Sequence, residues 1–293
     1  MDSLASSVIT LTTDFGSSGA YASLIKGAIL SINPRAILID VTHEIALGDI
    51  FSASYILGTL NGYFPKGTIH VAVVDPGVGS SRTALVIDMG SQFFVGPDNG
   101  LVSNLHHAAG KVSSTQKQEN RMSDAGTRTP ALWKIYKLNR PEYWNHPVSP
   151  TFHGRDIFAP VAAHISLGVH PSNMGSLTSD LIVLKSSVPR KNGSIVSGNV
   201  IHIDRFGNIV SNVTEHWVEG DRSTAKIHVG ELTVVGIDQY YSEKHNDFIV
   251  LVNSAGYLEL AYSGKSAADI LNARIGQPFN LELVDRNSEV DSN

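Results

Sequence analysis

Between Thr68 and Arg82 a nearly unbroken apolar run, Ile69, Val71, Ala72, Val73 and Val74, stops abruptly at Asp75, Pro76, Gly77, Val78, Gly79, Ser80, Ser81 and Arg82. A short β-branched run without polar alternation is the pattern of a strand buried on both faces, the condition of a parallel sheet covered by helices. Asp75 then stands at the strand's carboxyl end, the edge where open α/β sheets bind ligands. Pro76 fixes its own φ, and Gly77 and Gly79 admit tight or left-handed turns, so the loop can fold Arg82 back towards Asp75. A carboxylate and a guanidinium offered to one small space make either a loop-stabilising ion pair or part of a site. Nucleotide-loop readings fail, because Arg82 replaces the third glycine of G-x-G-x-x-G and no G-K-[ST] follows.

The preceding chain supports such a sheet. Val8 to Thr12 predicts a strand that breaks at Thr13 to Gly19, and Leu24, Ile25, Ala28, Ile29 and Ile32 recur at helical spacing until Asn33 and Pro34. Ile37 to Val41 predicts a second strand; Asp49 is placed to cap a helix with Ile50, Ala53, Leu57 and Leu60 on one face. The β-α-β-α-β order predicts parallel pairing with right-handed crossovers, which puts Asp14, at the end of strand one, on the same sheet edge as Asp75. Ala84 to Met89 and Gln92 to Val95 predict a hairpin turning at Gly90 and Ser91. A turn follows at Gly96 to Gly100, with a short helix over Leu101 to His107. Ser113 to Thr129 is polar and aperiodic and is expected to be a mobile surface insertion without structural elements, after which Trp133 to Leu138 resumes as a strand.

From Pro150 the chain reads Thr151, Phe152, His153, Gly154, Arg155, Asp156, Ile157, Phe158, Ala159, Pro160, then helix through Leu167. Asp156 is placed to cap that helix, Pro160 to sit in its first turn and Gly168 to end it. His153 precedes it in a loop. Lys185 to Ser194 has the composition of a linker. Beyond it, Ile195–Ile203, Ile209–Val213, Ala225–Val229, Leu232–Val235, Phe248–Val252, Leu258–Ala261 and Phe279–Val284 form short runs between turns, the signature of an antiparallel sheet, sandwich or small barrel. The tail from Asp285 to Asn293 is expected to fray.

Composition narrows the function. At 293 residues two domains are expected. A net charge of -5, with no basic run or helix face, argues against a nucleic-acid partner. Without cysteine there is no disulfide framework, thiolate nucleophile or Cys-ligated zinc, which suits a cytoplasmic protein. The twelve histidines form no metal-binding pattern. Neither a signal peptide nor an apolar run of about 18 residues is present, so membrane insertion is not expected.

Four stretches, Thr12–Gly16, Val74–Arg82, Thr151–Asp156 and Ile203–Asn208, together resemble the S-adenosyl-L-methionine hydroxide adenosyltransferase family, the adenosine-forming hydrolases. The resemblance runs from about Val8 to Leu283 and includes Pro97–Leu101 and Asn253–Ala261. It implies an α/β fold: an N-terminal α/β/α sandwich over residues 1–190 with a mostly parallel sheet, then a smaller antiparallel β-barrel over 191–293. It also implies a homotrimer, with active sites between the N-terminal domain of one subunit and the C-terminal domain of its neighbour.

The implied catalytic set is Asp75, Arg82 and His153. The related fluorinases and chlorinases differ at the Asp and His positions, and their extra loop after the hairpin is missing here. The implied substrate contacts are Asp14 to both ribose hydroxyls, Phe152, Asp204 to the methionine ammonium, Phe206 stacked on adenine, Asn208 on the adenine edge, Ser254, Glu259, and Tyr262 through its backbone. Read without the family, Asp14 is equally a helix cap, Phe206–Asn208 a hairpin turn, and Glu259 an outward residue of a strand. The implied chemistry needs neither metal nor cofactor: a C5′ sulfonium leaves as neutral methionine, and the site has only to hold and activate water. Arg82 would stabilise developing negative charge, and either Asp75 or His153 can take the proton. Two other readings stay open, a halogenase, against which the Asp75 charge would repel the halide, and a non-catalytic S-adenosylmethionine or adenosine-binding protein.

Overall fold

The computed structural model describes residues 8–114, 121–122, 128–185 and 188–283. It divides into two compact units, one ending at Val183 and one beginning at Leu184.

The first unit runs β1 (Val8–Thr13), α1 (Tyr21–Ile32), β2 (Ile37–Thr42), α2 (Ile50–Thr59), β3 (Ile69–Val73), β4 (Ala84–Asp88), β5 (Phe93–Pro97), α3 (Ser103–Ser114), β6 (Arg121–Met122), β7 (Arg128–Thr129), β8 (Lys134–Leu138), α4 (Ala159–Ser166) and β9 (Gly175–Thr178). Seven strands form one sheet in the order β2-β1-β3-β5-β4-β8-β9. The first four are mutually parallel, and β4, β8 and β9 extend the sheet antiparallel. Every residue of β3 is buried, and alternation sends Val71 and Val73 to one face and Ala72, with Val74 just beyond the strand, to the other. α1 and α4 cover the first face and α2 and α3 the second. The continuous apolar run is the sequence trace of this double cover.

Asp49 caps α2, accepting from the backbone N–H of Ser52 at 3.0 Å. Gly168, at φ +90°, closes the chain reversal after α4. Several details depart from expectation. α1 buries Ile25 and Ile29 but leaves Leu24 45% exposed. The predicted short helix begins later, at Ser103, and extends to Ser114. The expected featureless insertion contains the end of α3 and the paired strands β6 and β7; its other residues lie outside those described, as do Met1–Ser7 and Asp285–Asn293. Strand β9 was unpredicted, because Gly175–Thr178 is half polar and pairs only at the sheet edge.

The second unit is all but wholly antiparallel β: β10 (Arg190–Asn192), β11 (Ile195–Ile203), β12 (Ile209–Thr214), β13 (Lys226–Val229), β14 (Leu232–Val235), β15 (Phe248–Val252), β16 (Tyr257–Tyr262), the short α5 (Ala267–Leu271) and β17 (Pro278–Glu282). The sheet order is β14-β13-β17-β11-β12-β16-β15, and a parallel bridge between Asp238 and Leu251 curls the β14 end towards β15, so the sheet approaches a barrel. The expected linker is in part structure. Residues Arg190–Asn192 pair with Ile195–Ser197 across a two-residue turn whose first residue, Gly193, has φ +59°. No helix among the described residues is long and apolar enough to cross a membrane.

A polar chain crosses the first unit's core. His70 Nδ1 lies 2.8 Å from the Thr10 hydroxyl and Nε2 lies 3.3 Å from Gln92 Oε1, while the Gln92 amide donates to the Phe64 carbonyl at 2.7 Å. Burial holds the His70 pKa below its ordinary value, against the smaller pull of the Gln92 hydrogen bond. The folded state therefore binds fewer protons than the unfolded one as pH falls below about 6.5. Stability is expected to be full above that pH and to fall below it, by up to about 1.4 kcal/mol per pH unit for this one group. Urea titrations at pH 5 and pH 7.5 check this: His70→Gln should flatten the pH dependence, and an unchanged slope would show that His70 does not carry it.

Candidate active site

Asp14 and Asp75 follow the carboxyl ends of neighbouring parallel strands whose last residues, Thr13 and Val73, are register partners. The two acids therefore share one edge of the sheet. Asp14 is not a helix cap: α1 starts at Tyr21 after Ala20, which makes no side-chain cap, and Asp14 instead accepts from the Gly48 N–H at 2.9 Å.

Past Asp75 the loop makes two successive turns, Val78 N–H to the Asp75 carbonyl at 3.1 Å and Ser80 N–H to the Gly77 carbonyl at 3.1 Å. Those turns bring Arg82 back onto the acid. Its Nε donates to both Asp75 oxygens, at 3.0 and 2.9 Å, and its Nη2 to Oδ2 at 2.5 Å. The side chains are only 9% and 5% exposed. Gly79 joins this loop to the next piece of the site. At φ +78° a Cβ there would stand 2.5 Å from the Pro150 carbonyl oxygen, so only glycine allows the loop to touch the segment leading to His153. Asn99 secures the other side, donating to the Val74 carbonyl at 2.9 Å.

His153 completes a contiguous cluster. Arg82 Nη2 lies 2.8 Å from His153 Nδ1. A guanidinium can only donate, so Nδ1 must hold a lone pair and the neutral ring carries its proton on Nε2. Burial first, and the Arg82 charge second, hold the His153 pKa below its ordinary value, with Asp75 and Asp156 opposing. Asp156 is not the cap of α4. His153 is followed by a single π-helical turn, Gly154–Phe158, and Asp156 lies buried within it. There it accepts from Arg155 Nε at 2.6 Å, Arg155 Nη2 at 2.9 Å and the Ser149 N–H at 2.9 Å. Burial is the largest influence and raises its pKa, but the Arg155 bonds, the Ser149 N–H and the neighbouring Arg155 and His153 charges together outweigh it and the net shift is downward. Phe152 is 8% exposed and packs edge-on to Phe15 and Tyr21, with their ring centroids 5.8 and 5.3 Å away.

The remaining candidate residues from the sequence belong to the second unit, which is compact by itself. Asp204, Phe206 and Asn208 occupy the turn between β11 and β12. Asp204 Oδ1 accepts from the backbone N–H groups of Phe206 and Asn208, both at 2.9 Å, and Oδ2 from Asn208 Nδ2 at 2.9 Å. Gly207, at φ +82°, packs so tightly on Ser266 that a Cβ would come within 2.0 Å of its hydroxyl. The turn is thus locked, and it presents Phe206 79% exposed. Asp204, Phe206, Asn208, Tyr241, Ile249 and Tyr262 help to line a pocket of about 380 Å³, within the range of small-molecule sites. Glu259 is not an outward residue. It is 4% exposed and accepts from the Tyr241 hydroxyl at 2.6 Å and from Asn253 Nδ2 at 3.1 Å, and burial raises its pKa. Ser254 is exposed in the loop before β16 and does not line the pocket. Sequence reasoning missed Tyr241, whose signal is only an aromatic residue in a polar loop, and Phe158, hidden in an apolar helix start.

Fold and site together define an α/β-plus-β enzyme of small molecules. Residues 9–175 match the SAM hydroxide adenosyltransferase N-terminal domain and residues 198–280 the C-terminal domain of the same name. The (R)-S-adenosyl-L-methionine hydrolase of Methanocaldococcus jannaschii is 34% identical over 277 residues, covering 90% of this chain and 92% of that one. The fluorinase of Actinoplanes sp. is 22% identical over 310 residues, covering 94% of each. An uncharacterized conserved protein from Thermotoga maritima superposes with a TM-score of 0.77 at 30% identity, covering 93% of this chain and 99% of that one. The chain belongs to the SAM hydroxide adenosyltransferase family.

If Arg82 holds His153 as this geometry requires, nitrogen-15 spectra will show a neutral Nε2–H imidazole that titrates below about 6.5. In Arg82→Gln the lowering charge is gone and Asp75 is left unpaired, so the midpoint should rise. An unshifted midpoint would mean that the Arg82–His153 contact is not made.

Proposed function

We propose that the protein hydrolyses S-adenosyl-L-methionine to adenosine and L-methionine. Water attacks C5′, an O–C5′ bond forms as the C5′–S bond breaks, the electron pair of that bond stays on sulfur to give neutral methionine, and the water's proton is released. The observation that carries this reading is the hydrogen-bonded unit of Asp75, Arg82 and His153 at the sheet's carboxyl edge. In it Asp75 Oδ1, which among the described residues receives only the Nε bond, accepts the proton of the attacking water, while the His153 Nε2–H donates and so orients it. Arg82 steadies both and stabilises hydroxide character. Asp14 takes the ribose hydroxyls, supported by its position beside Asp75 and by an Oδ1 that accepts no bond from a described residue.

The pocket of the second unit takes the adenine and the methionine end. Support comes from its size and from the exposed Phe206 ring, a surface for stacking. With one Nδ2 hydrogen given to Asp204, Asn208 keeps its amide oxygen and its second Nδ2 hydrogen to meet the base edge. Glu259, both of whose oxygens are engaged, braces the pocket through Tyr241, and Tyr262 lines it; Phe152 packs in the core of the first unit next to His153, and Ser254 is exposed in the loop before β16.

The test is product identity. Purified protein given each sulfonium epimer of S-adenosylmethionine separately, with and without high chloride, should yield adenosine and equimolar methionine from at least one of them. Asp75→Ala, Arg82→Ala and His153→Ala should each lower kcat by about a hundredfold or more. A 5′-chlorinated nucleoside would make the protein a halogenase, and tight binding without turnover would make it a carrier.

The same reading makes the protein a homotrimer whose sites combine the first unit of one subunit with the second unit of its neighbour. Uncovered apolar side chains at the β2 edge, Ile37 at 46% and Ile39 at 37% exposure, support association. Light scattering should return three times the 31.5 kDa chain mass, and a monomer active at nanomolar concentration would rule out a shared site.

A further inference from the structure

The π-helical turn after His153 places two side chains five residues apart against the same partner. Its defining bond is Ala159 N–H to the Gly154 carbonyl, and such turns insert one residue into a helical path and so redirect the side chains on either side. His153 stands at its start and Phe158 at its end. Arg82 meets both: Nη2 contacts His153 Nδ1 at 2.8 Å, and Cζ lies 5.2 Å from the centre of the Phe158 ring. The ring is fully buried, so water does not compete with it for the cation.

The three contacts on the guanidinium divide its freedom among them. The Asp75 carboxylate fixes the fork edge, but a carboxylate hinge still lets the guanidinium plane tilt. The His153 nitrogen fixes one corner of Nη2. Only a surface against the plane limits tilting, and Phe158 supplies it.

We infer that Phe158 is a positioning residue of the active site: its ring face holds the Arg82 guanidinium in the one orientation that lets it pair with Asp75 and donate to His153 Nδ1 together. Phe158 touches no reacting group and works entirely through Arg82. The π turn is what delivers it there, since a regular α-helical turn from His153 would bring a different residue beneath the arginine. The kinetic consequence rests on the proposed hydrolysis, but the structural consequence, the His153 tautomer, does not.

Fluorination of the ring separates its electrostatics from its shape. Replacing Phe158 with mono-, di- and trifluorophenylalanine keeps the volume while weakening the negative ring face stepwise. Tm should stay near that of the parent. His153 should lose its pure Nε2–H nitrogen-15 signature as Arg82 loosens, and kcat should fall stepwise, to about a tenth at trifluorination, with KM little changed. Phe158→Leu, which keeps most of the apolar volume, should show the same split. In an Arg82→Ala background neither change should cost further kcat, because the residue acts only through the arginine. A flat series in both kcat and the His153 spectrum would overturn the proposal. So would a loss in the Arg82→Ala background equal to that in the parent, which would mark Phe158 as a packing residue. If the tautomer shifts with fluorination while no protein of the series turns over S-adenosylmethionine, the positioning role stands and the proposed reaction fails.

Discussion

A guanidinium withdrawn from water has to be neutralised and hydrogen-bonded where it stands, and Arg82 is nearly so withdrawn. Removing one partner of a buried pair typically costs about 3–5 kcal/mol, because the remaining charge is left without compensation. The local architecture follows from meeting this requirement. Asp75 must sit at the end of a strand stiff enough to hold it, which β3 is because both of its faces are covered. The loop to Arg82 must reverse within seven residues, which the two turns achieve. The segment carrying His153 must approach within contact of that loop, which Gly79 permits against Pro150.

How much of this is legible in sequence depends on the range of the interaction that fixes it. The buried strand and its parallel neighbours were readable, because double burial writes itself as an apolar run and crossover helices as a period near 3.6. The turn at Asp75–Arg82 was readable from Pro76 and the glycines. Asp156 misled because an acid ahead of an apolar helix usually caps it. Here Arg155, its immediate neighbour, and the Ser149 N–H claim the carboxylate first, and the chain makes a π turn. Asp14 likewise looked available to cap α1 until Gly48, distant in sequence, supplied its donor. Glu259 looked outward by strand alternation, but Tyr241 and Asn253 bond both oxygens and allow it to be buried. Asp14 and Glu259 take partners distant in sequence, Gly48 and Tyr241, which no local pattern announces, whereas the partners of Asp156 are local and are hidden by its resemblance to a helix cap.

The two units reach order by different means. At the sheet edge of the first unit, precision comes from side chains that several elements hold at once: a carboxylate from β3, a guanidinium from its loop, an imidazole and a ring from the π turn. The Asp204–Asn208 turn in the second unit holds itself, with an Asx-type bond from Asp204 to the backbone of Phe206 and Asn208 and one glycine wedged on Ser266. A self-contained turn can present an exposed aromatic ring without a core beneath it. In the proposed function such a turn would suit recognition of a flat base, and the cross-braced edge chemistry that tolerates little displacement.

The charge balance of the cluster also bears on which substrate it can accept. S-adenosylmethionine brings a sulfonium cation to the reacting carbon. An arginine without its partner would oppose that charge by about 3 kcal/mol for a separation of about 5 Å at an effective dielectric constant near 20. Asp75 cancels this repulsion in advance, and the neutral His153 adds no further positive charge. As the C5′–S bond breaks, the sulfonium charge disappears and oxygen acquires a bond to carbon while losing a proton. In the proposed reaction the neutral pair would then offer acceptor capacity on Asp75 Oδ1 and donor capacity on Arg82 and the His153 Nε2–H, without net charge to favour the reactant over the transition state. A halide nucleophile would meet the same carboxylate as a repulsive neighbour. Pairing Arg82 with Asp75 thus makes the buried guanidinium stable and, in the proposed reaction, removes the charge that would oppose a cationic substrate attacked by water.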